Sequence, residues 1–142
     1  MTRIEKTQKI SACAETLFNV LKDYEHYALW NPMILHSEEN GKGFILKTLT
    51  GEENVHTGER IPFAKISHIH ENNPFIMEAG ETFSIAANCR DTNVTFYAIP
   101  RDGNISDEIR RETEIKLKSL KHYAEYIENG GNPEQYSKLQ IV

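Results

Sequence analysis

The sequence predicts an α+β domain in which an antiparallel sheet packs against one long C-terminal helix, and three features carry that prediction. From Met33 to Pro100 short β-rich runs alternate with turn residues, with no long helical stripe between them. Ile109, Thr113, Leu117, Leu120, Ala124 and Ile127 then recur at helical spacing. Ahead of both, Arg3–Ile10 places Ile4 and Ile10 on one side of a pleat and Arg3, Glu5, Thr7 and Lys9 on the other.

Taken in order, that first segment is a strand with one wet face. Ser11 offers an N-cap to a short helix whose Ala14, Leu17, Phe18 and Leu21 share a face, with Glu15 near its first turn. A second short helical segment runs from Tyr24 to Trp30 and stops because Pro32 disfavours helical geometry at Asn31. Ile34–Glu39 and Phe44–Thr50 flank Asn40-Gly41-Lys42-Gly43, whose glycines allow a tight hairpin. Further strands are expected at Pro62–Glu71, Phe75–Ala79, Thr82–Cys89 and Val94–Pro100, with breaks at Asn72-Asn73-Pro74, Gly80 and 90–93, and a weaker one near Asn54–Thr57. Asp107 and Glu108 open the final helix, Asn129-Gly130-Gly131 closes it, and Glu112 with Lys116 and Glu114 with Lys118 support its outer face. This gives a domain over residues 1–130 and a tail over 131–142, whose Leu139, Ile141 and Val142 are available to dock on the body.

Composition narrows the function classes. A chain of 142 residues carries one core, and 39% hydrophobic content argues for autonomous folding. The net charge of −5, with no Lys/Arg cluster, leaves no footprint for nucleic acid. No apolar run approaches the ~20 residues of a membrane span. Cys13 and Cys89 lack metal or redox spacing, so a reducing cytoplasm is the expected location, and the glycosylation patterns at Asn93 and Asn104 read as chance. No nucleophile elbow, phosphate-binding loop or dinucleotide fingerprint occurs.

Strand, two short helices, strand meander and long helix is the element order of the START-like or SRPBCC superfamily. Ile10-Ser11-Ala12-Cys13-Ala14-Glu15-Thr16-Leu17-Phe18 resembles the family's opening, with Cys13 where a proline is usual. Asp23-Tyr24-Glu25 through Trp30-Asn31-Pro32 is similar to its Asp and Trp-x-Pro segment, Asp91-Thr92-Asn93-Val94 to the turn before its last strand, and Leu117-Lys118-Ser119-Leu120-Lys121 to its final helix. The resemblance covers residues 3 to 130 and implies a helix-grip fold, in which a curved sheet wraps the long helix over a cavity. Members include lipid and hormone carriers, polyketide cyclases and a chaperone-activator branch.

The favoured reading is binding or transport of a small, largely apolar ligand in that cavity; no cofactor or metal is expected, and a homodimer is left open. The expected cavity wall is Leu17, Trp30, His68, Phe83, Phe96, Leu117 and Leu120, chosen by alternation, by stripe position and by the resemblance. Trp30 also reads as a core wedge. A cyclase-like enzyme is the alternative, with His68, His70 and Tyr97 as the residues to mutate; a chaperone-activator-like interaction module is the third reading. His68 and His70 share a strand face and His56 is placed on a neighbouring strand, but spacing alone supplies no metal set, and solvent-exposed histidines on a sheet edge are expected. Cys89 follows Phe83, Ile85 and Ala87 at period two and reads as a small buried hydrophobe. Glu112, Glu114, Glu125 and Glu128 read as a solvated helix face.

Overall fold

The computed structural model of the chain describes residues 3–41, 43–49, 51–85, 90–103 and 107–138. Its elements are β1 (Ile4–Ile10), α1 (Ala14–Lys22), a 3-10 turn (Tyr24–His26), α2 (Tyr27–Trp30), β2 (Ile34–Glu39), β3 (Gly43–Thr48), β4 (Gly51–Ile61), β5 (Lys65–His70), β6 (Ile76–Ile85), β7 (Thr92–Pro100) and α3 (Asp107–Glu128). The seven strands form one antiparallel sheet ordered β1-β7-β6-β5-β4-β3-β2. Only β1 pairs out of sequence, so the short helices carry the chain from one edge of the sheet to the other. Ala87, Cys89, Asn104, Leu139, Ile141 and Val142, on which expectations were placed, lie outside the described residues.

Alternation decides which side of the sheet is covered. Ile4 and Ile10, Val94, Phe96 and Ala98, Ala79, Ile66 and His68, Val55, Phe44 and Leu46, and Ile34 are buried on one face. Leu17 and Leu21 of α1, Trp30 of α2 and Leu117 and Leu120 of α3 close over it, each at most 2% exposed. Burying one such side chain contributes about 1.5–3 kcal/mol. The helical stripe Ile109, Thr113, Leu117, Leu120 and Ala124 is buried as its spacing requires, with Ile127 half-buried at its end.

Four local expectations are corrected. Gly80 does not break a strand; it lies inside β6 opposite Ser67, and a Cβ there would stand 2.5 Å from the Ile66 carbonyl oxygen and 2.8 Å from the Ser67 Cα. Glycine answers to close backbone approach at this position. The weak strand near Asn54 is the 11-residue β4, bulged between Thr57 and Arg60, where the Ser67 hydroxyl accepts from the Glu59 N–H at 2.8 Å. Residues 62–64 turn rather than extend, with Phe63 at φ 61° and its ring edge-on to Phe18 at 5.9 Å. Ser11 does not cap α1: the cap position is Cys13, a thiol with no capping bond, and α3 supplies the acceptors instead. Glu128 accepts from the Cys13 N–H at 2.6 Å and the Thr16 hydroxyl at 3.0 Å, while Glu125 accepts from the Ser11 N–H at 2.8 Å.

The acids of α3 are therefore not a uniform solvated face. Bonds from Cys13 and Thr16 hold the Glu128 carboxyl below its usual range. Glu114 pairs with Lys6 of β1 at 2.8 Å rather than with Lys118. Lys116 turns inward to Glu81 of β6 at 2.7 Å rather than along the helix to Glu112. Beyond α3, Gly130 takes the left-handed φ of 88° that ends the helix, and the chain folds back. Tyr136 packs on Tyr123 and Tyr126 at 4.9 and 5.1 Å, and Lys138 donates to the Ile34 carbonyl at 2.8 Å.

Gly80→Ala is expected to destabilise the fold by about 2–4 kcal/mol, because backbone on the neighbouring strand must move. Urea unfolding measures it, with a lower midpoint at an unchanged slope as the expected result.

Candidate functional site

Between the covered face of the sheet and the first half of α3 lies a pocket of about 140 Å³. β3 contributes Phe44 and Leu46, β4 Glu53 and Val55, β5 His68 and His70, β6 Ile76 and Ala79, and β7 Phe96 and Ala98. α3 contributes Ile109, Glu112, Thr113 and Lys116, which follow one another at i, i+3, i+4 and i+7. The space exists because Ala79 and Ala98 face each other in register on adjacent strands, where larger side chains would reach the helix. Its mouth adjoins a groove of about 310 Å³ that shares Met33, Thr48, Glu53, Asn73, Ile76 and Glu112.

Three polar groupings interrupt the apolar wall. In the first, the Tyr24 hydroxyl, its ring stacked on Phe44 at 3.9 Å, accepts from Arg60 Nη2 at 2.7 Å and lies 3.0 Å from Thr57 Oγ1 and 3.2 Å from His68 Nε2. Burial pushes the His68 imidazole well below its ordinary range, and the positive charges of Lys116 and Arg60 add to the effect, so the ring is neutral. In the second, Glu53 Oε1 lies 3.1 Å from His70 Nδ1 and accepts from Asn73 at 2.9 Å. Burial raises the Glu53 carboxyl, but the bonds from His70 and Asn73 outweigh it and hold the group below its usual range.

The third grouping is the pair of Glu81 and Lys116. Glu81 is 0% exposed, and Lys116 Nζ stands 2.7 Å from its Oε1 and 4.9 Å over the Phe96 ring. Neither Glu81 oxygen makes a hydrogen bond of acceptable angle, so this is a contact of charges rather than a formed hydrogen bond. At the mouth, Glu112 has its carboxyl raised by desolvation and by the charges of Glu53 and Glu108.

Of the seven residues expected to form the wall, His68 and Phe96 line this pocket. Leu17, Trp30, Leu117 and Leu120 are packed core behind it, and Phe83 is half-buried further along β6. Trp30 stacks on Tyr123 at 6.2 Å, and its indole N–H is buried without an acceptor among the described residues. His70 lines the pocket beside His68, so these two are not sheet-edge residues in solvent. Tyr97 does not join them: its neighbours in register are Glu5 and Gly80, on the other face, where it donates to Glu78 at 2.9 Å. His56 is opposite Ile69, also on the other face, and bonds Glu71. Among the described residues no three His, Cys, Asp or Glu side chains converge as a metal site.

Sequence reasoning missed Tyr24, Glu53, Arg60, Glu81, Glu112 and Lys116. A signal existed for Glu81, which shares strand parity with Ala79 and Phe83 and so puts a charge on an apolar face. No local signal marked Lys116, whose partner is distant in sequence.

No protein-family model matches the sequence, and no curated protein matches it. Solved structures do. The Zhui aromatase/cyclase from a Streptomyces strain aligns at TM-score 0.66 and 17% identity, over 92% of this chain and 99% of that one. A START superfamily protein from Mycobacterium smegmatis aligns at TM-score 0.63 and 16% identity, over 89% and 97%. The Aha1 dimer from Colwellia psychrerythraea aligns at TM-score 0.68 and 18% identity, over 93% and 100%. At these identities the likeness is one of fold: a seven-stranded antiparallel sheet closed by a long C-terminal helix, the START-like helix-grip fold.

Proposed function

We propose that the pocket under α3 binds a small, largely apolar molecule. The observation that carries this reading is the Ala79–Ala98 gap beneath α3, walled by Tyr27, Ile34, Phe44, Leu46, Val55 and Phe96 and open at one end. Concave apolar sites with a few placed polar groups are where small ligands bind, at about 25 cal/mol per Å² of apolar surface buried. In this reading Phe96 and His68 touch the ligand, while Leu17, Trp30, Leu117 and Leu120 stiffen the wall from behind, and Phe83 extends it along β6. Among the described residues no helix is long and apolar enough to cross a membrane.

A second reading, chemistry on a ligand in the same pocket, is favoured by the convergence of neutral His68 and the His70–Glu53 pair on an otherwise apolar wall. His68 is then the proton acceptor, with Tyr24 and Arg60 behind it to carry charge.

A thermal-shift screen of apolar and aromatic compounds tests binding. A compound present at one hundred times its Kd is expected to stabilise by about 2.7 kcal/mol. Ala98→Phe, which fills the gap, is expected to abolish that shift while the protein stays folded; a screen without any stabilising compound contradicts the reading.

The neutral state of His68 is testable through stability against pH. Its folded pKa lies below the value of 6.5 that applies to the unfolded chain, so the unfolded state binds the extra proton. Stability is therefore expected to fall as pH drops below that unfolded value. His26 has the opposite sign, because its bond to Asp23 raises it. Comparing wild type with His68→Gln in chemical unfolding between pH 7.5 and pH 5 isolates the term, with about 1.4 kcal/mol expected per unit of pKa difference.

A further inference from the structure

We infer that the pocket is built for an amine, with an apolar body inside and a protonated nitrogen at the lip within reach of Glu112. This rests on the binding reading above and narrows it to a charge class.

Three independent observations carry it. First, Glu53 and Glu112 line both the pocket and its outer groove, and Glu108 lines the groove one turn earlier on α3. Three carboxylates therefore stand together at the lip, and the Glu112 carboxyl is raised first by desolvation and then by the charges of Glu53 and Glu108. Second, the neighbouring basic groups are engaged elsewhere. His70 is bonded to Glu53, Lys116 is paired with Glu81, and the Arg101 guanidinium donates to the carbonyls of Asn73 and His70. Among the described residues no ion pair reaches Glu108 or Glu112.

Third, the interior behind the lip offers no net positive charge. Glu81 is fully buried on the face that lines the pocket, in register with Phe96 and against Lys116, with both oxygens lacking a hydrogen bond. Its charge cancels the one ammonium on the wall, and His68 beside it is neutral. A ligand carboxylate would thus meet three like charges at the entrance and no net positive charge inside. A ligand ammonium, a donor of three hydrogen bonds, finds acceptors at the lip, where the low-dielectric wall strengthens the attraction. The Glu53 carboxylate is pinned by His70 and Asn73, which leaves Glu112 as the group whose charge sets the preference.

The experiment is calorimetric titration of the purified protein with n-octylamine, octan-1-ol and octanoate at neutral pH and low salt, which share a tail and differ in charge. The amine is expected to bind about tenfold tighter than the alcohol, and octanoate more weakly than either. Added salt is expected to erode the amine's advantage. Glu112→Gln is expected to bring the amine to within about threefold of the alcohol measured on the same variant. Glu108→Gln, on the same exposed side of α3, is a second variant with a smaller loss, and the thermal midpoint of each confirms folding.

The inference is overturned if octanoate binds as tightly as octylamine, or if the amine-to-alcohol ratio is unchanged in Glu112→Gln. In either case alcohol binding leaves the apolar pocket standing. If none of the three binds, both the charge class and the binding reading fail.

Discussion

The rest of this structure depends on how a bent sheet fills the space beneath the helix it holds. Interior packing at crystal-like density leaves few voids, and each costs contacts that a filled site would make. Toward the second half of α3 the space is filled by Leu17, Trp30, Ile66, Leu117 and Leu120, each at most 2% exposed. Toward its first half, the facing methyls of Ala79 and Ala98 stop short, and the pocket lies there. One half of the grip is packed core and the other half encloses a pocket. The N-terminal segment is joined to the well-packed half through Glu125 and Glu128, which anchors α3 away from the pocket.

The polar groups follow from the same geometry. A carboxylate as deeply buried as Glu81 loses several kcal/mol of solvation, which only an opposite charge at contact distance offsets. Lys116 reaches it from the helix, so the pair spans the grip from β6 to α3 and ties the two layers at the edge of the pocket. Replacing both with apolar residues of similar volume is expected to leave stability little changed, because buried ion pairs contribute small net energies. Tyr24 works similarly at the α2 corner: stacked on Phe44 and bonded by Arg60, it fixes the environment of His68.

Much of the architecture was legible because periodicity and turn chemistry report directly on faces and ends. The stripe from Ile109 to Ala124 is buried as spaced, and β2 runs over the expected Ile34–Glu39. The α1 cap was not legible, because its acceptors come from the opposite end of the chain. Gly80 misled because glycine serves both turns and close approach, and only the neighbouring strand decides between them. The pocket was legible on one wall at a time. His68 and Phe96 follow from alternation, whereas the space itself depends on two alanines meeting across a strand pair whose register no local pattern reveals. Leu17, Leu117 and Leu120 share the covered side but lie at the level of α3 where the packing is complete.

Methyl-resolved NMR during titration with an apolar compound tests the central claim most directly, since it locates the contact without assuming it. The account predicts shifts confined to methyls of Ile34, Leu46, Val55, Ile76, Ala79, Ala98 and Ile109, which line the pocket. Shifts limited to Ile69 and Ile85, which are exposed outside the pocket, would contradict it.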